Sequence, residues 1–363
     1  MIGQVNIQKR FERLSEIIEN NRIDCYISKL ESNIKYLTGD LKADHEYSSL
    51  IINSKHDVYL ITPKIDETRI RDEAKGVKIE VLGSSNAESE VFAKIKGLNC
   101  KRVSFDSLSY LEFMTVKKIL PNVKLDCRPD ILLKLRRIKD ESEIKLIATA
   151  AKISDIGMNM ASDALRAGIR EFELAAEIEY AMRKAGGEGF AFETQISSGM
   201  RSSYPHGGCT DKRILKGDVV VIDIGSKIMG YKSDLTRTYI LGTPSIEQQS
   251  IYRAVYEAQE DALRTIRHGM NGYEADSVAR NSIRSKGFAE YFIHGLGHGV
   301  GIDIHEPPRL SRNSKDKIER GNVITIEPGL YLPKKFGVRI EDLTLVTSRG
   351  LKLLSHAEKN LSF

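Results

Sequence analysis

Apolar positions in the first third of the chain alternate between two spacings. In "FERLSEIIENN", Phe11, Leu14, Ile17 and Ile18 recur at helical intervals, which predicts a helix with one buried face. "IDCYIS" follows as a short apolar run and predicts a strand, and "LIINSKHDVYLIT" predicts two short strands around a polar turn. "KRVSFDS" as strand, "SLSYLEFMTVKKIL" as helix and "NVKLDC" as strand continue the alternation. The chain then turns basic, passes Pro129, and opens a long helix at "DESEIKLIATAAKI". We read residues 1–130 as an N-terminal α/β domain and 131–363 as a second domain.

The second domain carries an internal repeat. "GIREFELAAEIEYAMRKAGG" from Gly168 has a counterpart in "GMNGYEADSVARNSIRSKGF" from Gly269, each following a long helix and ending in glycine. The later of the two long helices opens at Ser245 with Gln248 three residues on, a capping-box pattern. After each helix pair comes a matching strand: "KGDVVVIDIG" aligns with "RGNVITIEPG", which sets Asp223 against Glu327. The unit of two helices and strands occurs twice, and two such halves predict one sheet with a pseudo-twofold axis and helices behind it. The overall class is α/β (α+β).

Composition narrows the function classes. The 363 residues are 41% hydrophobic and 29% charged, as in an ordinary globular protein, and the net charge is only +5 with no basic block. That argues against a nucleic-acid groove. No stretch approaches the roughly 18 apolar residues of a membrane helix, and "MIGQVNIQKRFERL" lacks the apolar core of a signal peptide. The expectation is a cytoplasmic protein without membrane or nucleic-acid partners. Cys25, Cys100, Cys127 and Cys209 show no paired metal-type spacing; they read as free buried thiols, with a disulfide between two of them as the alternative.

The chemistry sits in strand-borne acids. In "VVVIDIG" alternation puts Val219, Val221 and Asp223 on one face. A carboxylate on an apolar face is costly unless it is paired, hydrogen-bonded or bound to a cation. "GSKIMGY" reads as a turn near Ile228, which makes Asp223 and Asp234 cross-strand neighbours. Glu327 in "ITIEPG" and Glu341 in "VRIEDLTLV" are related in the same way about Lys334. Adjacent carboxylates repel unless a proton or a cation lies between them. In "HGLGHGVGIDIHEPP" the glycines alternate from Gly295 to Gly301, placing His294, Leu296, His298 and Val300 on one extended face and leaving the other open to a second backbone. That glycine content argues against a helical HxxxH zinc motif. One imidazole beside four carboxylates is a hard, oxygen-rich set suited to Mn(II), Co(II) or Fe(II), or to Zn(II) in a binuclear site. Four carboxylates nearly neutralise two divalent ions and leave room for a bridging hydroxide, which implies hydrolysis.

These motifs resemble those of the pita-bread metallopeptidases, in the proline-specific branch of prolidase and aminopeptidase P. "SNIKYLTG" is similar to a segment of that branch's N-terminal domain, and "LRRIKDESEI" to the start of its catalytic domain. "YPHGG", "DIGSKIMGYKSDLTRT", "HGLGHGVGIDIHEPP", "TIEPGLY" and "GVRIEDLTLVT" follow its signatures in order. The resemblance implies Asp223, Asp234, His298, Glu327 and Glu341 as ligands of two divalent metals, with Asp234 and Glu341 as bridges. It further implies Glu327 as proton shuttle, His305 as donor to the scissile carbonyl, and His206 and His294 as the lining of the proline side. Arg339 would orient an Asp ligand. Ser226 and Asn322 depart from common family residues without supplying chemistry.

Within the branch, a prolidase must recognise the free carboxylate beside the proline, whereas aminopeptidase P leaves that end open. Arg309 in "HEPPRL" falls where the resemblance puts a carboxylate-binding arginine, so the expectation is hydrolysis of Xaa-Pro dipeptides. The alternatives are an aminopeptidase P acting on longer peptides and a non-catalytic peptide-binding homologue, although the latter typically loses ligands. The resemblance also implies a homodimer.

Overall fold

The computed structural model describes residues 6–39, 48–82 and 87–359. The amino-terminal stretch compared above with a signal peptide lies partly outside them. The chain divides into two compact units, one ending at Arg136 and the other beginning at Arg137.

The first unit is a six-stranded mixed sheet in the order Lys78–Val81, Val58–Thr62, Ser49–Asn53, Cys25–Ser28, Arg102–Phe105 and Lys124–Cys127. Each predicted strand is present. The helix Ile7–Asn20 buries Phe11, Leu14 and Ile18, and Tyr110–Ile119 opens at Ser109 with a capping box to Glu112. Cys25 and Cys100 form a disulfide, with Cα atoms 5.9 Å apart. This corrects the free-thiol expectation for those two; 75 residues of sequence separation hide a pair that the central strand brings together. Cys127 and Cys209 are free.

The second unit contains the repeat. Its long helices are Glu141–Ala164 and Ile246–Thr265, each followed by a 14-residue helix, Glu171–Lys184 and Gly272–Ser285. Gln248 N donates to Ser245 Oγ and Ser245 N to Gln248 Oε1, closing the anticipated cap, a feature worth about 1 kcal/mol. The approaches to the short helices are built alike. Gly168 N donates to Ile214 O at 2.8 Å, and Gly269 N to Ile318 O at 2.9 Å.

Strands Gln195–Ser198, Val219–Ile224 and Leu235–Ile240 form one three-stranded ladder. Gly297–Gly299, Val323–Ile326 and Asp342–Thr347 repeat it inside a five-stranded ladder. The single sheet expected from sequence is thus parcelled into short ladders. They are stitched where Glu341 N donates to Thr236 O and where Arg339 N donates to Thr238 Oγ1, both at 3.0 Å. An apolar core including Val255, Ala258, Leu296, Ile324 and Val338 lies behind the sheet. No helix of the described residues is long and apolar enough to cross a membrane.

Candidate metal centre and active site

In the first half, Thr236 pairs with Asp223, and Ile228 pairs with Tyr231. The chain therefore reverses at Met229–Gly230, whose φ values of 48° and 77° are those a two-residue hairpin turn needs. The turn lies beyond the expected Ile228. Continuing the register puts Asp234 opposite Gly225, so Asp223 and Asp234 are diagonal neighbours on one face and not a direct pair. In the second half, Ile326 pairs with Asp342 and Gly329 with Arg339. The same register sets Glu327 directly opposite Glu341, as the turn about Lys334 predicted.

The glycine-rich stretch becomes a strand only at Gly297–Gly299. A Cβ on Gly297 would lie 2.1 Å from Thr325 O, and one on Gly299 2.4 Å from Pro307 O. The bare face therefore meets two backbones, as the alternation implied. The four side chains differ in burial, however. Leu296 and Val300 are wholly buried, while His294 and His298 line the cavity. A register shift between His298 and Gly299 breaks the alternation. Beneath this stretch a buried Asp276–Arg280 pair binds its backbone: Arg280 donates to Phe292 O and His294 O, and Leu296 N donates to Asp276.

Asp234, His298 and Glu341 place ligand atoms within 4.8 Å of one another. His298 Nε2 lies 3.6 Å from Asp234 Oδ2 and 3.2 Å from Glu327 Oε1. Asp223 joins the group through the hairpin, and all five line a cavity of about 520 Å³. His298 Nδ1 lies 3.1 Å from Gly299 O and donates there, so in the neutral ring Nε2 turns a lone pair toward the carboxylates. Buried Asp223 Oδ1 and Glu341 Oε1 accept no hydrogen bond among the described residues. Acceptors converging without donors fit a cation site.

The electrostatics agree. Burial first, then the Glu341 and Asp223 charges, pushes the Asp234 carboxyl well above its ordinary value. Burial, Glu327 and Asp223 do the same to Glu341. Burial also raises Glu327, but the hydrogen bond and charge of His298 outweigh it and hold that acid at about 2. His298 is raised in spite of burial, chiefly by Glu327.

Arg339 donates from Nη2 to Asp223 Oδ2 at 2.6 Å. Three residues without a role in the sequence reading complete the frame. Thr236 Oγ1 donates to Glu341 Oε2 at 2.7 Å, and Thr325 Oγ1 donates to Glu327 Oε1 at 3.1 Å. Tyr331 Oη accepts from Arg339 Nη1 at 2.8 Å and lies 3.0 Å from His294 Nε2. Each threonine stands two residues from an acid on the same strand face, a spacing visible in "SDLT" and "TIE". Tyr331 left no such signal, because its partners are distant in sequence.

His305 stacks edge-on to His298 with ring centroids 4.4 Å apart, and burial, then the His298 charge, lowers its pKa. His206, His294 and Arg309 line the same cavity. Among the described residues the Arg309 guanidinium has no carboxylate partner; its backbone N donates to Asp316. The loop before Arg309 is anchored by Glu306, fully buried, which accepts from Lys139 Nζ at 3.0 Å and from Asp303 N at 3.1 Å.

Residues 145–348 match metallopeptidase family M24, and residues 10–138 match the creatinase/prolidase N-terminal domain. The chain is 37% identical over 355 residues to an Xaa-Pro dipeptidase of Pyrococcus horikoshii, covering 98% of this chain and 99% of that one. The structure of an Xaa-Pro dipeptidase from Bacillus anthracis superposes with a TM-score of 0.93 at 34% identity, covering 99% of this chain and 100% of that one. An X-Pro aminopeptidase structure from Thermotoga maritima gives 0.89 at 33% identity, covering 98% and 99%.

Proposed function

The chain belongs to metallopeptidase family M24, and on that premise we propose that it is an Xaa-Pro dipeptidase using two divalent metal ions. The observation that carries this reading is the gathering of Asp223, Asp234, His298, Glu327 and Glu341 on one cavity, with two buried carboxylate oxygens lacking donors among the described residues. The bound ions, Mn(II) or Co(II) in this proposal, would activate water and polarise the scissile carbonyl.

The chain's own residues do the rest. Glu327 takes a proton from the attacking water and passes it to the proline nitrogen that leaves. His305, at the exposed edge of the cavity, donates to the scissile carbonyl oxygen as charge develops there. His206 and His294 hold the proline ring side, His294 being fixed by Tyr331 Oη and Gly295 O. Arg309, whose guanidinium has no carboxylate partner among the described residues, receives the dipeptide's C-terminal carboxylate in a bidentate pair. A cytoplasmic homodimer acting on short proline peptides, with residues 1–130 and 131–363 as its two domains, completes the proposal.

The test is hydrolysis of Met-Pro beside Met-Pro-Gly, with and without added Mn(II) or Co(II). Metal-dependent cleavage of the dipeptide alone supports the dipeptidase. Preference for the tripeptide makes it an aminopeptidase P with the same core chemistry. No cleavage of either by the metal-loaded protein rejects the proposed substrate. Arg309→Ala should raise KM for the dipeptide about tenfold or more and spare the tripeptide.

A further inference from the structure

Gln195 opens the strand Gln195–Ser198 and pairs directly with Asp223 on the neighbouring strand. Residues opposed in an antiparallel pair project to the same face, with Cβ atoms about 4.5–5.5 Å apart. Its side chain therefore stands beside one of the proposed metal-binding acids and lines the same cavity, near Phe192. The Gln195 Oε1 atom is buried and has no hydrogen-bond partner among the described residues. An apolar side chain of similar size would line that wall without leaving a buried acceptor unsatisfied.

We propose that Gln195 selects the residue before the proline, favouring a side chain that carries a hydroxyl or amide over an apolar one of the same shape. This rests on the reading of the chain as an Xaa-Pro peptidase. The peptide's α-amino group is the other donor that could reach this wall, but it is common to every substrate and cannot by itself distinguish one side chain from another. A neutral amide both donates and accepts, which matches a neutral hydroxyl or amide. Phe192 supplies apolar surface for the rest of that side chain.

Threonine and valine differ by a hydroxyl for a methyl at nearly constant shape, so Thr-Pro and Val-Pro isolate the effect. The metal-loaded wild-type protein should prefer Thr-Pro in kcat/KM by about tenfold. Gln195→Leu, and the unbranched Gln195→Met, should remove that preference, lowering kcat/KM for Thr-Pro about tenfold more than for Val-Pro. Equal losses on both dipeptides would show that Gln195 serves the α-amino group or the fold, and would overturn the inference. So would a wild-type protein indifferent to the hydroxyl. If neither dipeptide is cleaved, the Xaa-Pro reading fails, and ligand stabilisation still decides the role of Gln195. L-threonine should then raise the Tm of the wild-type protein more than L-valine, and Gln195→Leu should erase the difference. Equal stabilisation by the two amino acids would overturn it.

Discussion

The two halves of the catalytic unit use one plan and reach different geometries. In the first, Asp223 and Asp234 flank a two-residue turn at Met229–Gly230 and end as diagonal neighbours. In the second, Glu327 and Glu341 flank a longer reversal around Lys334 and end directly opposed. Neither half holds its own acids alone. Arg339 of the second half binds Asp223, while Thr236 of the first binds Glu341. Arg339 Nε also donates to Thr236 Oγ1 at 3.1 Å, so the two braces touch. Behind them Arg237, wholly buried, binds the carbonyls of Thr236 and Glu341 together with the Asp342 carboxylate. Pseudo-symmetry supplies the frame, and unequal turns with reciprocal braces make the site asymmetric.

That contrast can be broken at several strengths. Asp234→Asn removes a carboxylate from the diagonal pair and should abolish two-metal binding, lowering activity by roughly a thousandfold or more while circular dichroism stays native. An active, metal-replete variant would refute the ligand assignment. His305→Ala leaves both halves intact and should lower kcat by about 10²–10³ with metal content unchanged. Parallel loss of metal and turnover would contradict its role as a donor to the substrate. Removing the cross-braces should act through the metal: Arg339→Met is expected to weaken metal affinity about 10–100-fold, with a smaller loss for Thr236→Val, as titration calorimetry would show. Arg339→Met should also lower the Tm, since it strands the buried Asp223 charge. The smallest effect concerns protons. Burial and mutual repulsion hold the Asp234 and Glu341 carboxyls raised in the metal-free protein, and a ligand must be ionised. Metal uptake should therefore release protons, and apparent affinity should rise with pH above the ordinary carboxylate range. Calorimetry in buffers of different ionisation enthalpy would expose an absence of release.

Much of this was legible in the chain because it is written in local pattern. Helical spacing at Phe11, Leu14 and Ile18, the Ser245–Gln248 cap and the alternation in "VVVIDIG" each depend on neighbours a few residues away. The acids stood out because a carboxylate amid valines and isoleucines needs a partner. The glycines of the histidine stretch announced close backbone contacts, and a Cβ on Gly297 would lie only 2.1 Å from Thr325 O. The errors were of another kind. A reversal displaced by one residue moved Asp234 by a full cross-strand pair, and no local signal distinguished Ile228 from Met229–Gly230 as the pivot. Only the ladder registers decide that.

The sequence by itself determined the element order, the repeat, the residues capable of ligating metal and the family they indicate, because composition and short-range periodicity encode them. The tertiary structure alone decided the disulfide between Cys25 and Cys100, the Arg339–Asp223 and Thr236–Glu341 braces, and the Tyr331 bridge to His294. It also decided that Gln195 pairs with Asp223 and that its Oε1 finds no partner among the described residues. These contacts join residues up to 116 positions apart. Their energies depend on burial and register, which exist only once the sheet has closed.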